Sequence, residues 1–192
     1  MTLWISKLLL AISNALLLPV VGALLLLALL TLLYTGGLVR EAIERRRMHT
    51  ARAALVHAFK RTPTRRLERA DLEPLRGLLR RGLEEALAAP HARDKVLDDL
   101  ELRAERSVGR LAYGLRLGPM LGLAGTLIPL GPALVALSTG DIRTLSTQLV
   151  LAFGTTVLGL VIGGLSYVLH AIRSRWYTED LSDVAFLSRE ER

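Results

Sequence analysis

Small polar side chains interrupt three long stretches of this chain that carry no charge at all. The polar groups that lie deepest in these stretches are Ser13, Asn14, Thr31, Thr126, Thr155, Thr156 and Ser166. Hydroxyls can hydrogen-bond to water or to an ion carrier, but they do not release a proton near neutral pH. The stretches contain no Asp or Glu, the usual mark of an intramembrane proton or cation relay. If this chain moves protons, the titrating group must therefore come from another chain.

Each uncharged stretch is long enough to cross a bilayer as a helix. The stretches cover 8–39, 117–140 and 144–172, which is 32, 24 and 29 residues, whereas a membrane helix needs about 20. We therefore predict an all-α membrane protein with three transmembrane helices. The first stretch is too long for a signal peptide and continues into charged sequence, so we expect it to be retained. These features exclude a soluble globular enzyme, and the absence of cysteine excludes disulfides and cysteine-ligated metals.

Basic residues are concentrated between the first and second stretches. The segment 40–116 holds 19 Lys and Arg against 12 Asp and Glu, which accounts for the whole formal net charge of +7. By the positive-inside rule this segment is cytoplasmic. The N-terminus and the turn at 138–147 are then expected outside, and the C-terminus in the cytoplasm. Nucleic-acid binding is not expected, because acids alternate with the arginines and Phe59 is the one aromatic residue in 40–112.

These patterns divide the chain into four predicted parts. They are the outer N-terminal segment with the first span (1–39), a cytoplasmic helical region (40–112), the second and third spans with a short outside turn (113–172), and a cytoplasmic tail (173–192). Within the cytoplasmic region, we predict that the first helix continues to about Arg61. A short helix capped by Asp71 ends near Pro90, and a long helix rises from about Ala92 into the second span. We predict a short amphipathic helix after Tyr177.

The second and third spans differ from the leucine-rich first span because they are rich in small residues. Gly118 and Gly122, and likewise Gly159 and Gly163, are small-xxx-small pairs that let membrane helices approach closely. Gly125 extends the first pair. Plain helix packing explains each of these glycines. It does not require the adjacent Thr155 and Thr156 in the middle of one span, or Thr126 in the middle of the other.

Two runs in these spans resemble elements of the MotA/TolQ/ExbB proton-channel family. The run GPMLGLAGTL at 118–127 is similar to the family's A-P-L-L-G-L-L-G-T-V, and the run TTVLGL at 155–160 is similar to its T-T-A-x-G-L. The order of the two runs and the short turn between them also match the family layout. The resemblance implies a pentamer in the inner membrane that uses the proton motive force and surrounds a single-span partner of the ExbD/TolR/MotB kind. It also implies that an aspartate of the partner carries the proton.

The resemblance assigns roles to the polar residues of the spans. Thr126 and Thr156 would line the path of the ion, with Thr155 as a weaker candidate, and Gly118, Gly122, Gly125, Gly159 and Gly163 would pack the helices. We accordingly predict a non-enzymatic subunit of a motor or energy-transducing channel, without a cofactor or a metal site. Whether the ion is a proton or sodium stays open. Two alternatives remain, a structural membrane scaffold and a small transporter, although the spans offer no charged substrate group.

Overall fold

The chain is helical throughout the part that the structure describes. The computed structural model describes residues 2–62 and 67–189, and for 2, 3, 5–7, 9, 10 and 14 it describes the backbone alone. The helices are α1 (Thr2–Arg61), α2 (Gly77–Ala88), α3 (Arg93–Thr139) and α4 (Ile142–Leu187), and two 3₁₀ turns lie at Arg69–Leu72 and Pro90–Ala92. No strand occurs within these described ranges. The predicted all-α class is therefore confirmed.

Three of the helices are long and apolar enough to cross a membrane. The candidate spans fall within Ala11–Arg61, Pro90–Thr139 and Ile142–Leu187. These are the helices that contain the three uncharged stretches of the sequence, so the prediction of three membrane-spanning helices agrees with the structure. The predicted end of the first helix at about Arg61 and the predicted long third helix are also confirmed.

Two helix boundaries differ from those that the sequence predicts. The helix expected after Asp71 begins later, at Gly77, because the Asp71 carboxylate accepts the backbone N–H of Glu68 at 3.2 Å and closes the preceding 3₁₀ turn instead. Gly77 itself has a φ of 67°, which favours glycine. The segment after Tyr177 is not a short helix of its own. It continues α4 to Leu187, since no glycine or proline interrupts this stretch.

The chain forms two compact units. The first, called here the membrane unit, comprises the residues up to Thr35 together with Arg110–Leu169. Its buried side chains are small or aliphatic, with Ala133, Ala136 and Ala152 at most 5% exposed. Thr31 and Ser166 are also buried, and both lie next to Gly114, where an added Cβ would overlap the Ser166 hydroxyl. The three spans therefore meet at this polar point.

A two-residue turn joins α3 to α4 in the membrane unit. α3 ends at Thr139 and α4 begins at Ile142. Gly140 has a φ of 75°, a conformation that side chains other than glycine rarely adopt. The backbone N–H of Asp141 donates a hydrogen bond to the carbonyl of Ala136 at 2.9 Å. The carboxylate of Asp141 accepts the N–H of Thr144 at 3.1 Å and so caps α4.

The second unit, called here the polar unit, comprises Gly36–Gly109 and the chain from His170 onward. Leucines of α2 and of the segment before it form its core together with residues of the other three helices. The buried members are Leu55, Phe59, Leu72, Leu75, Leu79, Leu83, Leu100, Val184 and Leu187. Leu79 and Leu83 of α2 are fully buried in this core.

Ion pairs join α1 to α4 inside the polar unit. Arg45 donates to both carboxylate oxygens of Asp180, at 3.0 and 2.5 Å, and its guanidinium lies 4.9 Å from the ring centre of Trp176. Arg52 donates to Asp183 at 2.6 Å. Burial raises the pKa of the Asp180 carboxyl, although the neighbouring arginines oppose this effect. A buried pair of this kind leaves an uncompensated charge when one partner is removed.

Candidate functional site

Five glycines bring α3 and α4 into backbone contact in the membrane unit. Gly118, Gly122 and Gly125 on α3 and Gly159 and Gly163 on α4 are all buried, and we call this contact the glycine seam. An added Cβ on Gly159 would lie 2.5 Å from the carbonyl oxygen of Gly118 and 2.8 Å from the Cα of Gly122. These are contacts with backbone, which cannot rotate away as a side chain can. The seam therefore fixes the distance between the two spans.

Thr156 forms a hydrogen bond across the glycine seam. Its hydroxyl donates to the carbonyl of Gly122 at 3.3 Å, and the residue is half-buried. The distance lies beyond the usual range for a hydroxyl donor, so the bond is long. Gly122 has no side chain to cover its carbonyl, and its own added Cβ would lie 3.5 Å from the Cα of Thr156. This bond thus depends on the close approach of the two helices.

The other two predicted threonines differ in their exposure. Thr155 is only 6% exposed, because it packs against Gly125, and its hydroxyl donates to the Ala152 carbonyl at 2.8 Å. Thr126 is half-buried, and its hydroxyl donates to the carbonyl of Leu123 at 2.7 Å. Thr155 therefore acts as a packing residue within one copy of the chain, whereas Thr126 and Thr156 keep a partly open surface.

The hydroxyl protons of all three threonines are already engaged by backbone carbonyls. A hydroxyl has one proton to donate and two lone pairs that can accept. With its proton engaged, each hydroxyl can offer only its oxygen to a further group. The site can thus accept a hydrogen bond from water, from a hydrated proton or from a protonated carboxyl, but in this arrangement it cannot donate to a carboxylate.

The site itself contains no charged group. All three uncharged stretches lack Asp, Glu, Lys and Arg. Among the described residues, no group of three or more His, Cys, Asp or Glu could hold a metal ion. The polarity of the seam therefore comes from threonine hydroxyls and from backbone carbonyls that no side chain covers.

Thr31, Gly114 and Ser166 form a second polar contact. The sequence analysis named Thr31 and Ser166 among the deep polar groups, but it did not place them together or include Gly114. Ser166 is 2% exposed and Thr31 is 4% exposed. Gly114 lies four residues before Gly118, and Ser166 lies three residues after Gly163, so both continue the faces of the seam. Extending the small-residue spacing by one turn beyond Gly118 and Gly163 would have linked Gly114 with Ser166. No spacing signal points to Thr31, which lies on another helix.

A comparison with models of known protein families identifies the group to which these spans belong. The model of the MotA/TolQ/ExbB proton channel family matches residues 58–184, about two thirds of the chain. The chain belongs to this family. The matched segment contains the glycine seam, all three threonines and most of the polar unit, while the first span precedes it.

Membership in the MotA/TolQ/ExbB family makes this protein a membrane protein of a proton-channel family that acts in energy transduction. The resemblance read from the runs at 118–127 and 155–160 is therefore confirmed. Comparison with curated proteins and with solved structures gave no match to the chain.

Proposed function

We propose that this protein is the sleeve-forming subunit of an ion-driven motor or energy-transducing channel in the inner membrane. Several copies, five by analogy with the family, would surround the single span of an ExbD/TolR/MotB-like partner. The partner would supply the aspartate that carries the proton, and the proton motive force would drive the movement. The subunit would provide the wall of the path and would not catalyse a covalent reaction.

Two observations together support this proposal. The threonine hydroxyls already donate their protons to backbone carbonyls, and the uncharged stretches contain no Asp or Glu. Thr126 and Thr156 present oxygen acceptors on partly open faces of α3 and α4. Such acceptors suit a carboxyl that has taken up a proton, because a protonated carboxyl is a hydrogen-bond donor. An intramembrane relay is usually marked by a carboxylate, and the three uncharged stretches of this chain contain no Asp or Glu. A partner that brings an aspartate meets this need.

The lengths of the helices support the proposed cytoplasmic extensions. α3 has 47 residues and α4 has 46, and each corresponds to about 70 Å at 1.5 Å per residue. The bilayer, including its headgroups, is only about 40–45 Å thick. Together with the basic segment 40–116, this supports a membrane topology in which the N-terminus lies outside and both α3 and α4 extend into the cytoplasm.

The test is to replace Thr126 and Thr156, singly, with valine, which keeps the shape and removes the hydroxyl. Thr35→Val is the matched control, since Thr35 lies in α1 and its hydroxyl also donates to a carbonyl of its own helix at 2.8 Å. Each variant is reconstituted in vesicles with the single-span protein that co-purifies with the parent, and proton uptake is measured under an imposed pH gradient. Loss of one hydrogen bond should lower the rate about tenfold for Thr126→Val and Thr156→Val. The control should keep the parental rate.

Native mass spectrometry of the extracted complex checks that each variant still assembles with the partner, and it counts the copies. Parental rates in both variants would remove these threonines from the ion path. If no single-span partner is retained and no variant changes any activity, the chain is a structural scaffold instead. Repeating the measurement with a sodium gradient at fixed pH decides between the two ions.

A further inference from the structure

An open cavity in the polar unit lies between α1 and α4. Its volume is about 470 Å³, and its lining includes Arg45, Arg46, His49, Arg52, Trp176 and Glu179. Three arginines and a histidine on this surface face a single exposed acid, Glu179. Glu179 is already engaged, because Arg175 donates to it at 3.0 Å. The cavity therefore favours an anionic occupant.

The arginines of the cavity are not equally available to a ligand. The guanidinium of Arg45 donates to Asp180 and approaches Glu41 at 3.5 Å, and that of Arg52 donates to Asp183. Arg46 is exposed and makes no ion pair with any residue that the structure describes. Arg46 is thus the cation of this cavity that remains available for an outside anion.

Two further polar groups lie on the same face of α1 as Arg46. His49 and Thr50 follow it at three and four residues, a spacing that places all three side chains next to one another on a helix. All three line the cavity and are exposed. An arginine can bind a phosphate group through two parallel hydrogen bonds, and the adjacent hydroxyl of Thr50 can donate a third. The chemistry of this face fits a phosphate.

The position of the cavity along the helices matches the depth of lipid headgroups. Glu41 in α1 and Arg173 in α4 lie just after the uncharged stretches of their helices. Their side chains form an ion pair between the two helices at 3.3 Å. The last residues of the uncharged stretches are Val39 in α1 and Ile172 in α4. Along the helix axes, Trp176 lies about 6 Å beyond Ile172, and Arg46 lies about 10 Å beyond Val39. The headgroup layer is about 5–8 Å thick on each side, and long arginine side chains can reach toward it. Tryptophan is a typical residue at this level.

We propose that this cavity binds the phosphate headgroup of an anionic phospholipid of the inner leaflet. Arg46, His49 and Thr50 hold the phosphate, and Trp176 forms the floor of the site. The inference rests on the membrane topology of the proposed function, but its test does not depend on ion transfer. Failure of lipid binding would leave the proposed channel role untouched, and a loss of ion transfer would leave the lipid site untouched.

Trp176 offers a direct probe, because Trp4 is the chain's one other tryptophan. In the Trp4→Phe background, the purified full-length protein in neutral detergent is titrated with short-chain phosphatidylglycerol, and the emission of Trp176 is recorded at 0.15 M salt. We expect a saturable change with phosphatidylglycerol and none with phosphatidylcholine of the same chain length. Arg46→Gln should weaken the apparent affinity at least about tenfold, because the charge-assisted hydrogen bonds of the guanidinium are lost. Arg46→Lys keeps the charge but cannot form the two parallel bonds, so it should restore only part of the affinity.

Arg47→Gln is the matched control. Arg47 is also exposed and lies at the same depth, but it lines a different depression next to Glu44 and Pro74. Its removal should change the affinity less than about twofold, because salt screens a charge that makes no direct contact. Equal losses for Arg46→Gln and Arg47→Gln would overturn the site in favour of general surface attraction. An equal response to phosphatidylcholine, or to soluble glycerol phosphate at the same concentration, would overturn the lipid assignment.

Discussion

Replacing Gly159 with alanine tests whether the glycine seam holds the two spans together. The new Cβ would lie 2.5 Å from the Gly118 carbonyl oxygen, 2.8 Å from the Cα of Gly122 and 3.1 Å from its N. Relief to an ordinary contact of about 3.4 Å requires the helices to separate by up to roughly 0.9 Å. The Thr156 hydroxyl already lies 3.3 Å from the Gly122 carbonyl, so this separation breaks the bond.

The expected loss follows from two opposing effects. Overpacking of a tight contact destabilises by about 1–3 kcal/mol, and replacing glycine by alanine in a helix returns about 0.8–1 kcal/mol. The net loss of up to about 2 kcal/mol should lower the melting temperature by up to about 8 °C for a chain of this size. The assay is thermal unfolding of the detergent-solubilised protein, followed by circular dichroism.

Gly164→Ala is the control for this measurement. Gly164 lies in the same helix, but an added Cβ there meets nothing within 4 Å. This variant should be as stable as the parent or slightly more stable, because only the helix propensity changes. If Gly159→Ala melts at the same temperature as Gly164→Ala, the close backbone contact of the seam does not limit stability, and the argument built on it is refuted.

Three further predictions address other contacts. Gly114→Ala should destabilise the membrane unit because its Cβ overlaps the Ser166 hydroxyl, and adding Ser166→Gly should recover most of the loss in the same melting assay. Asp180→Leu should destabilise by up to about 3–5 kcal/mol, since the largely buried Arg45 keeps only its longer ion pair with Glu41, whereas Arg45→Met with Asp180→Leu should restore stability in chemical unfolding. Hydrogen bonds from Thr144 lower the pKa of Asp141 below its usual value of about 3.8. The stability that this carboxylate contributes is present above that pH and is lost as the pH falls through the lowered pKa. Asp141→Asn, which can still cap α4, should lack this part of the acid sensitivity in melting curves recorded between pH 7 and pH 3.

The sequence predicted the elements that depend on composition and period. Uncharged length predicted three spans. Leu100, Ala104, Val108 and Leu111 follow one another at steps of four, four and three residues, the spacing of one helix face, and all four are buried in α3. These signals are local, and each follows from the hydrophobic effect acting along a single helix. These signals can be read without knowing which helix packs against the buried face.

The sequence could not predict contacts that depend on which helix lies opposite. Helical spacing allows Arg81 to pair with Glu85, but Arg103 of α3 donates to Glu85 at 2.6 Å, and Arg80 pairs with Glu84 in α2. Helical spacing permits both choices, and the neighbouring helix decides between them.

The candidate site shows the same limit at the level of single side chains. The sequence placed Thr155 and Thr156 together in one span, but it could not tell which of them would be buried against α3 and which would stay partly exposed. Packing against Gly125 buries Thr155, while Thr156 stays half-exposed and reaches the carbonyl of Gly122. Whether Thr126 and Thr156 line an ion path stays a prediction until the valine variants are measured.

The two-residue turn at Gly140 has a consequence for how the second and third spans can move. Only two residues join the end of α3 to the start of α4. Because the connection is so short, neither helix can shift along its axis without moving the other. The interlocked backbones below the turn likewise resist rotation of one helix against its neighbour. We therefore expect the two spans of the membrane unit to tilt or turn together, with any displacement at the outer faces of this hairpin.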